Sequence, residues 1–330
     1  MKFWVINKWQ ILLSALVLFF MLALVIRPDI YMDSCLRGIL IWGTSVLPAL
    51  FPFFFFSSIL IKLRALDIIG AKLSKFMQTI FHCPGCSGVI YLLSIISGYP
   101  VGAKITSEMY QAGTLTRNQV VRINAFASTS GPLFIIGSVG VGMFVNHACG
   151  IIMLIAHLLG ALFNGLLYRN YGIKNEIQAP PQPIQKTQSI LSNTMYDSII
   201  SILIVGGYIV IFNIIIDMLF NIGLLEIFSA IFGFLLNIIG LPTSLSTGLA
   251  SGIFEVTRGC LDLSASGLDL KLITAFACGL ISWGGFSIHL QALTFLNKCK
   301  ISIPFYLLQK FTQCIISAFL CWLILLFVPI

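Results

Sequence analysis

Lys104, Glu108, Glu255, Arg258 and His289 stand in stretches otherwise apolar enough for lipid, and ionisable groups placed there are candidates for chemistry. A charge at the bilayer centre costs on the order of 3 kcal/mol unless it is partnered, so each is a functional-site candidate by default. Lys104 closes the run SGYPVGAK (97–104). Gly98, Pro100 and Gly102 cannot continue a helix there, because proline removes a backbone donor and glycine costs roughly 1 kcal/mol against alanine. Broken backbone survives at membrane depth only under protein cover or along a polar cavity. Ser97, Gly98, Tyr99, Pro100, Gly102 and Lys104 thus make one candidate binding tip. A second is Ser128, Thr129, Ser130 and Gly131 ahead of Pro132, and a third is SGIFEVTR (251–258) with Glu255, Thr257 and Arg258. The fourth is Trp283-Gly284-Gly285, followed by Ser287, His289 and Gln291.

Each candidate carries two readings. Lys104 and Glu108 share a helical face at i,i+4, so they form either a substrate-binding cation with its neighbour or an internal pair that neutralises both. Glu255 beside freed carbonyls could hold a cation or a proton, or simply pair with Arg258, which can also snorkel to the surface. Hydroxyls at 128–130 could bind substrate or satisfy the carbonyls freed by the break. His289 could titrate near neutral pH, although a lone membrane histidine more commonly makes an interhelical hydrogen bond. Asp197 and Asp217 are expected at the interface, and Lys310, a turn into the last span and left at membrane depth with Lys104, can snorkel; neither the aspartates nor Lys310 are counted as site residues.

The elements that hold these groups follow from composition. Of 330 residues 58% are hydrophobic and 9% charged, and the mean hydropathy is +1.01, which excludes an ordinary soluble domain. There is room for about eight spans of roughly 20 residues. The nine cysteines are scattered and mostly apolar in context, giving no disulfide framework. HCPGC (82–86) is a single weak ligand cluster, so no metal or other cofactor is expected. The net charge of +8 fits loops facing anionic lipid better than nucleic acid. No HExxH, protease aspartate pair, GxSxG or Walker loop occurs, so an enzyme is not expected.

In chain order the expectation is a span at 9–26, a charged outer loop, a span at 36–61, and an amphipathic surface helix at 63–81. A short-armed re-entrant hairpin follows around 97–104, then a crossing helix (119–144) broken at 130–132 and a span at 148–168. A polar linker containing PPQP (180–183) leads to a second half in the same order: span 195–219, surface helix 221–240, hairpin 242–261, broken helix 272–296, span 305–327. Aligning Ser97-Gly98 with Ser251-Gly252 puts Lys104 on Arg258. Three crossings per half invert the second half, so the expected fold is an all-α polytopic membrane protein, an inverted repeat with two re-entrant hairpins and two broken transmembrane helices. The domain reading is 1–35 as N-terminal helix and outer loop, 36–170 as first repeat, 171–192 as cytoplasmic linker and 193–330 as second repeat.

Loop charge orients this arrangement. With the N-terminus cytoplasmic, Lys2, Lys8, Lys62, Arg64, Lys72, Lys75, Arg117, Arg122, Arg169, Lys174, Lys186, Lys298 and Lys300 all face inward. Arg27, Arg37, Arg258 and Lys271 fall outside or near it.

SGYPVGAK, TSGPLFIIGSVGVGMF (129–144) and SWGGFSIHLQ (282–291) resemble the YlbJ/SpoVV family of sporulation integral membrane proteins. That family belongs to the nucleoside-recognition Gate group, itself similar to concentrative nucleoside transporters. The resemblance implies an elevator-like carrier holding its substrate between hairpin tips and helix breaks. It further implies export of dipicolinate from the mother cell across the outer forespore membrane. Lys104 and Arg258 would suit this planar dianion. The expected partners are a small anionic substrate, the lipid bilayer and possible further copies of the chain, with Na+ or H+ coupling left open. A sodium- or proton-driven nucleoside carrier and a non-transporting assembly component on the same scaffold are the alternatives.

Overall fold

The computed structural model describes residues 8–173, 187–328 and 330. PPQP, Lys2, Lys174 and Lys186 lie outside the described residues. Helices account for nearly all of the described chain, and no strand occurs among the described residues. Lipid leaves little else: every backbone N–H and C=O must be satisfied within the segment.

Helix α1 (Lys8–Ile26) is turned by 104° at Arg27 into α2 (Pro28–Ile41), whose first turn carries Pro28 and Asp29. The expected outer loop is therefore helical. Pro28 has its φ preset for a first turn and no N–H to satisfy there. Arg37 finds a carboxylate partner in Asp217. A π-wound turn (Trp42–Val46) joins α2 to α3 (Leu47–Lys62).

The expected surface helix at 63–81 is two short pieces, α4 (Ala65–Ala71) and α5 (Ser74–Phe81), because Arg64 adopts a left-handed conformation and the chain bends at Lys72-Leu73. HCPGC is the corner from α5 into α6 (Cys86–Ser97), an 87° bend, with Gly85 against Gly70 and both cysteines free and buried.

The first hairpin is α6 and α7 (Val101–Gln111). Helix α8 (Arg117–Asn124), with a Thr116 capping box, unwinds over 125–132 and resumes as a π-wound segment, Leu133–Met143. A long helix α9 (His147–Tyr168) ends the first half.

The second half repeats the order: α10 (Thr187–Asn221), α11 (Leu224–Ile238), the hairpin α12 (Ser246–Phe254) and α13 (Val256–Ser264), the broken pair α14 (Leu270–Trp283) and α15 (Gly285–Leu296), and α16 (Ile303–Phe327). Helix α10 begins before the expected span, so the linker is shorter than 171–192.

Equivalent helices of the two halves run antiparallel. Along α9 and α16, Gly160 meets Ser317, Asn164 meets Thr312 and Tyr168 meets Phe305. Between the first spans, Gly38 meets Val210 and Lys62 meets Asp197. The second hairpin is itself antiparallel: a Cβ on Gly259 would stand 2.4 Å from the Gly252 Cα, and one on Gly248 would meet the Leu263 side chain. Glycines at this seam let two backbones approach closely, a substitute for hydrophobic drive in lipid.

By length and composition, four stretches of the described chain can cross a bilayer: His147–Tyr168, Leu191–Asn221, Leu270–Cys299 and Ile303–Phe327. Six result if each of two bent pairs is a span. Along α16, Leu308, Phe311, Ile315 and Phe319 are exposed, while Tyr306, Gln309, Lys310, Gln313 and Ser317 are buried. A helix with lipid-compatible residues outside and polar ones inside belongs to a membrane bundle with a polar centre.

Candidate functional site

The polar centre is built around the backbone freed at 125–132. Helix α8 ends at Asn124 and Gly131-Pro132 keep the chain from rewinding before Leu133, so the last carbonyls of α8 and the amides of the break need other partners. Asn164 Nδ2 donates to the Ala125 carbonyl at 2.7 Å, and Gln309 Nε2 donates to that of Val121 at 3.1 Å. The Thr129 N–H donates to Ser94 Oγ, which also contacts Thr129 Oγ1 at 2.9 Å. The Ser130 N–H donates to His157 Nε2 at 2.9 Å. That bond leaves the His157 proton on Nδ1, from which it goes to Ser282 Oγ at 2.7 Å. One imidazole thereby ties the break of the first half to that of the second.

Lys310 completes the joint. It is 1% exposed, and its ammonium donates to the Ser128 carbonyl (3.0 Å), Gln313 Oε1 (2.7 Å) and the Tyr99 hydroxyl (2.9 Å). It also lies 4.8 Å from the centre of the Tyr99 ring. All three partners are neutral oxygens, and among the described residues no carboxylate forms an ion pair with Lys310. Lys310 does not snorkel: the first hairpin tip at Tyr99 and the break at Ser128 close over it. Tyr99 in turn reaches the Ser282 carbonyl across the halves, at 3.4 Å.

Gly98, at φ 80° and ψ −171°, lies in backbone space open essentially to glycine, and a Cβ there would sit 2.7 Å from the Gly131 nitrogen. Gly102 stands equally close to the Ala127 carbonyl, where a Cβ would be 1.8 Å away. The tip Ser97 to Gly102 is thus seated directly on the break, from Ala127 to Gly131. The bond before Pro100 is cis, and the Ser97 hydroxyl has no hydrogen-bond partner.

Lys104 is not at the tip contact. It is buried on α7 against α3, paired with Glu108, donating to Ser58 Oγ at 2.7 Å and lying 5.1 Å from the Phe54 ring centre. The internal-pair reading of Lys104 is the one its geometry supports.

The second tip differs from its expected form. Within SGIFEVTR the break falls at Glu255, which is extended, while Ser251-Gly252, aligned with Ser97-Gly98, lie inside α12. The Glu255 carboxylate accepts from the Thr257 and Arg258 N–H groups at 3.0 and 2.8 Å, capping α13. Arg258 pairs with Asp262 rather than Glu255, as Lys104 does with Glu108 at the same chain offset. The tip rests on its own half's break: a Cβ on Gly285 would meet the Phe254 carbonyl at 2.9 Å, and Trp283 Nε1 donates to that of Ile253. Gly284 and Gly285, both at positive φ, make the turn between α14 and α15. Beyond it, Ser287 accepts from Gln291, and His289 lies buried between Trp283, Phe286 and Tyr306.

Sequence reasoning missed His157, Ser282 as its partner, Tyr306, Lys310 and Gln313. The signal was available: Tyr306, Gln309, Lys310, Gln313 and Ser317 recur at helical spacing along one face of an apolar helix, and His157 and Asn164 lie two turns apart on α9.

Spans in two antiparallel sets, around a polar centre of interrupted helices, define a multi-pass α-helical integral membrane protein. The chain is 30% identical over 338 aligned residues to the sporulation integral membrane protein YlbJ of Bacillus subtilis, with 95% of this chain and 82% of that protein covered. It belongs to the YlbJ family. An uncharacterized protein of Alkalihalophilus pseudofirmus is 28% identical over 169 residues, spanning 48% of this chain and 36% of its own length. No family model matches the chain.

Proposed function

We propose that this protein is a carrier, not an enzyme, that moves a small organic anion through the joint of tips and breaks during sporulation. The observation that supports this most is Lys310. A buried ammonium with only neutral partners forgoes the Coulomb attraction that offsets desolvation. An incoming carboxylate would supply a counter-charge. A neutral nucleoside would leave the ammonium as it is.

The particular substrate we propose is dipicolinate, moved from the mother cell across the outer forespore membrane, with the N-terminus cytoplasmic. Exit of a dianion from a negative-inside compartment gains roughly 4–5 kcal/mol per 100 mV, at about 2.3 per charge, so no coupling ion is required. The test is uptake of dipicolinate and of uridine into proteoliposomes. Potential-dependent movement of dipicolinate supports the reading, and cation-dependent movement of uridine alone contradicts it.

A further inference from the structure

The two histidines of the centre are used differently. His157 spends both ring nitrogens, one on Ser130 N–H and one on Ser282 Oγ. His289 is as thoroughly buried, at 1% exposed, yet its Nε2 has no partner and its Nδ1 has only the long 3.4 Å contact to the Tyr306 hydroxyl. A purely structural histidine in such a place satisfies its polar atoms, since an unpaired buried donor or acceptor costs about 1–3 kcal/mol.

What surrounds that nitrogen points to a ligand. Helix side chains lean toward their own N-terminus, so His289 folds back over the start of α15, where its ring meets Trp283 at 4.3 Å and Phe286 at 6.2 Å. Helix α15 begins at the Gly284-Gly285 turn with no side-chain cap, leaving first-turn N–H groups for an anion. Tyr306, whose hydroxyl touches His289, precedes Lys310 by four residues on α16, a rise of about 6 Å. Tyr306 thus links the ring that carries the orphan nitrogen to the buried face of α16 that carries the lone ammonium, and Trp283 and Tyr306 pack edge-to-face against that ring.

We propose that His289 Nε2 and the N-terminus of α15 form a second carboxylate subsite, opposite Lys310, so that the centre selects a planar aromatic dicarboxylate over a monocarboxylate. This rests on the carrier reading above and adds to it the residue that reads the second carboxylate. Glu255, Tyr99, Tyr306, His157 and Lys310 are the ionisable groups nearest this subsite from the packed elements. Glu255 is occupied by its cap bonds, His157 by its two hydrogen bonds and Lys310 by its three neutral oxygens.

The experiment is calorimetric titration of the purified full-length protein in detergent with dipicolinate and with picolinate, which lacks one carboxylate, for wild type and His289→Gln. The wild type is expected to bind dipicolinate about 10- to 100-fold more tightly than picolinate, the range for one charge-assisted hydrogen bond. In His289→Gln that preference should collapse while picolinate affinity stays within about twofold, which a misfolded variant would not show. Equal wild-type affinity for the two ligands overturns the subsite without any variant, as does a parallel loss of both in His289→Gln. Absence of dipicolinate binding to the wild type overturns the carrier reading itself.

Discussion

The two hairpins share a plan and differ in what their tips do. Each is a pair of short helices, each second arm carries a cation–carboxylate pair at i,i+4, and each tip rests on the helix break of its own half. The first tip also crosses to the other half: Tyr99 receives the Lys310 ammonium and reaches the Ser282 carbonyl. The second tip turns inward, with both Glu255 oxygens spent on its own backbone. Repeated architecture therefore does not imply repeated chemistry. The cations on the arms are each paired with a carboxylate, and the ammonium held only by neutral oxygens belongs to α16, outside either hairpin.

Substitutions at each tip and arm sharpen that contrast. The largest loss of stability is expected for Gly98→Ala, where a left-handed φ and a 2.7 Å approach to Gly131 coincide; about 2–4 kcal/mol should be lost, or the folded protein not recovered. Gly240→Ala is its control, because that glycine has positive φ with open space around it and should lose about 1 kcal/mol or little more. Denaturant unfolding in detergent measures both.

Next comes the arm pair. Glu108→Ala strands a buried ammonium and should cost about 3 kcal/mol, whereas Lys104→Met removes the charge, leaves a partly exposed carboxylate and should cost less. If Lys104→Met is the worse of the two in unfolding, or abolishes dipicolinate binding in folded protein, the arm is more than structural.

Smallest is Glu255→Ala, expected to lose about 1 kcal/mol through the missing cap with dipicolinate affinity unchanged. A tenfold loss of affinity at full folding would instead make the two tips chemically alike.

Which of these features could be read in the residues depends on how each is built. The break at 284–285 is a glycine event, local in the chain, and lies where the motif put it, while the first break contains its Gly131-Pro132 motif but opens earlier, over 125–132. Inside the second tip, 251–258, the exact break is harder to read because it has neither glycine nor proline: Glu255 is extended, held by a carboxylate that caps the next helix, while the more conspicuous Ser251-Gly252 serves a helix seam. Lys310, placed at membrane depth, was passed over as a site residue for another reason. A lysine near a span's end snorkels only if that end is open, and the closure over Lys310 comes from the break at Ser128 and from a tip some 200 residues earlier in the chain. Arg122, assigned to a cytoplasmic loop, is likewise buried, with Nη1 on the Tyr171 carbonyl at 2.7 Å.

The most direct measurement of the central claim is dipicolinate uptake into proteoliposomes containing wild type, Lys310→Met or Lys104→Met, each checked for folding by gel filtration and thermal unfolding. Retention of transport within a few fold in Lys104→Met, with loss of 100-fold or more in folded Lys310→Met, is the predicted result. Wild-type rates in folded Lys310→Met would contradict the assignment of Lys310 as the cation that meets the anion.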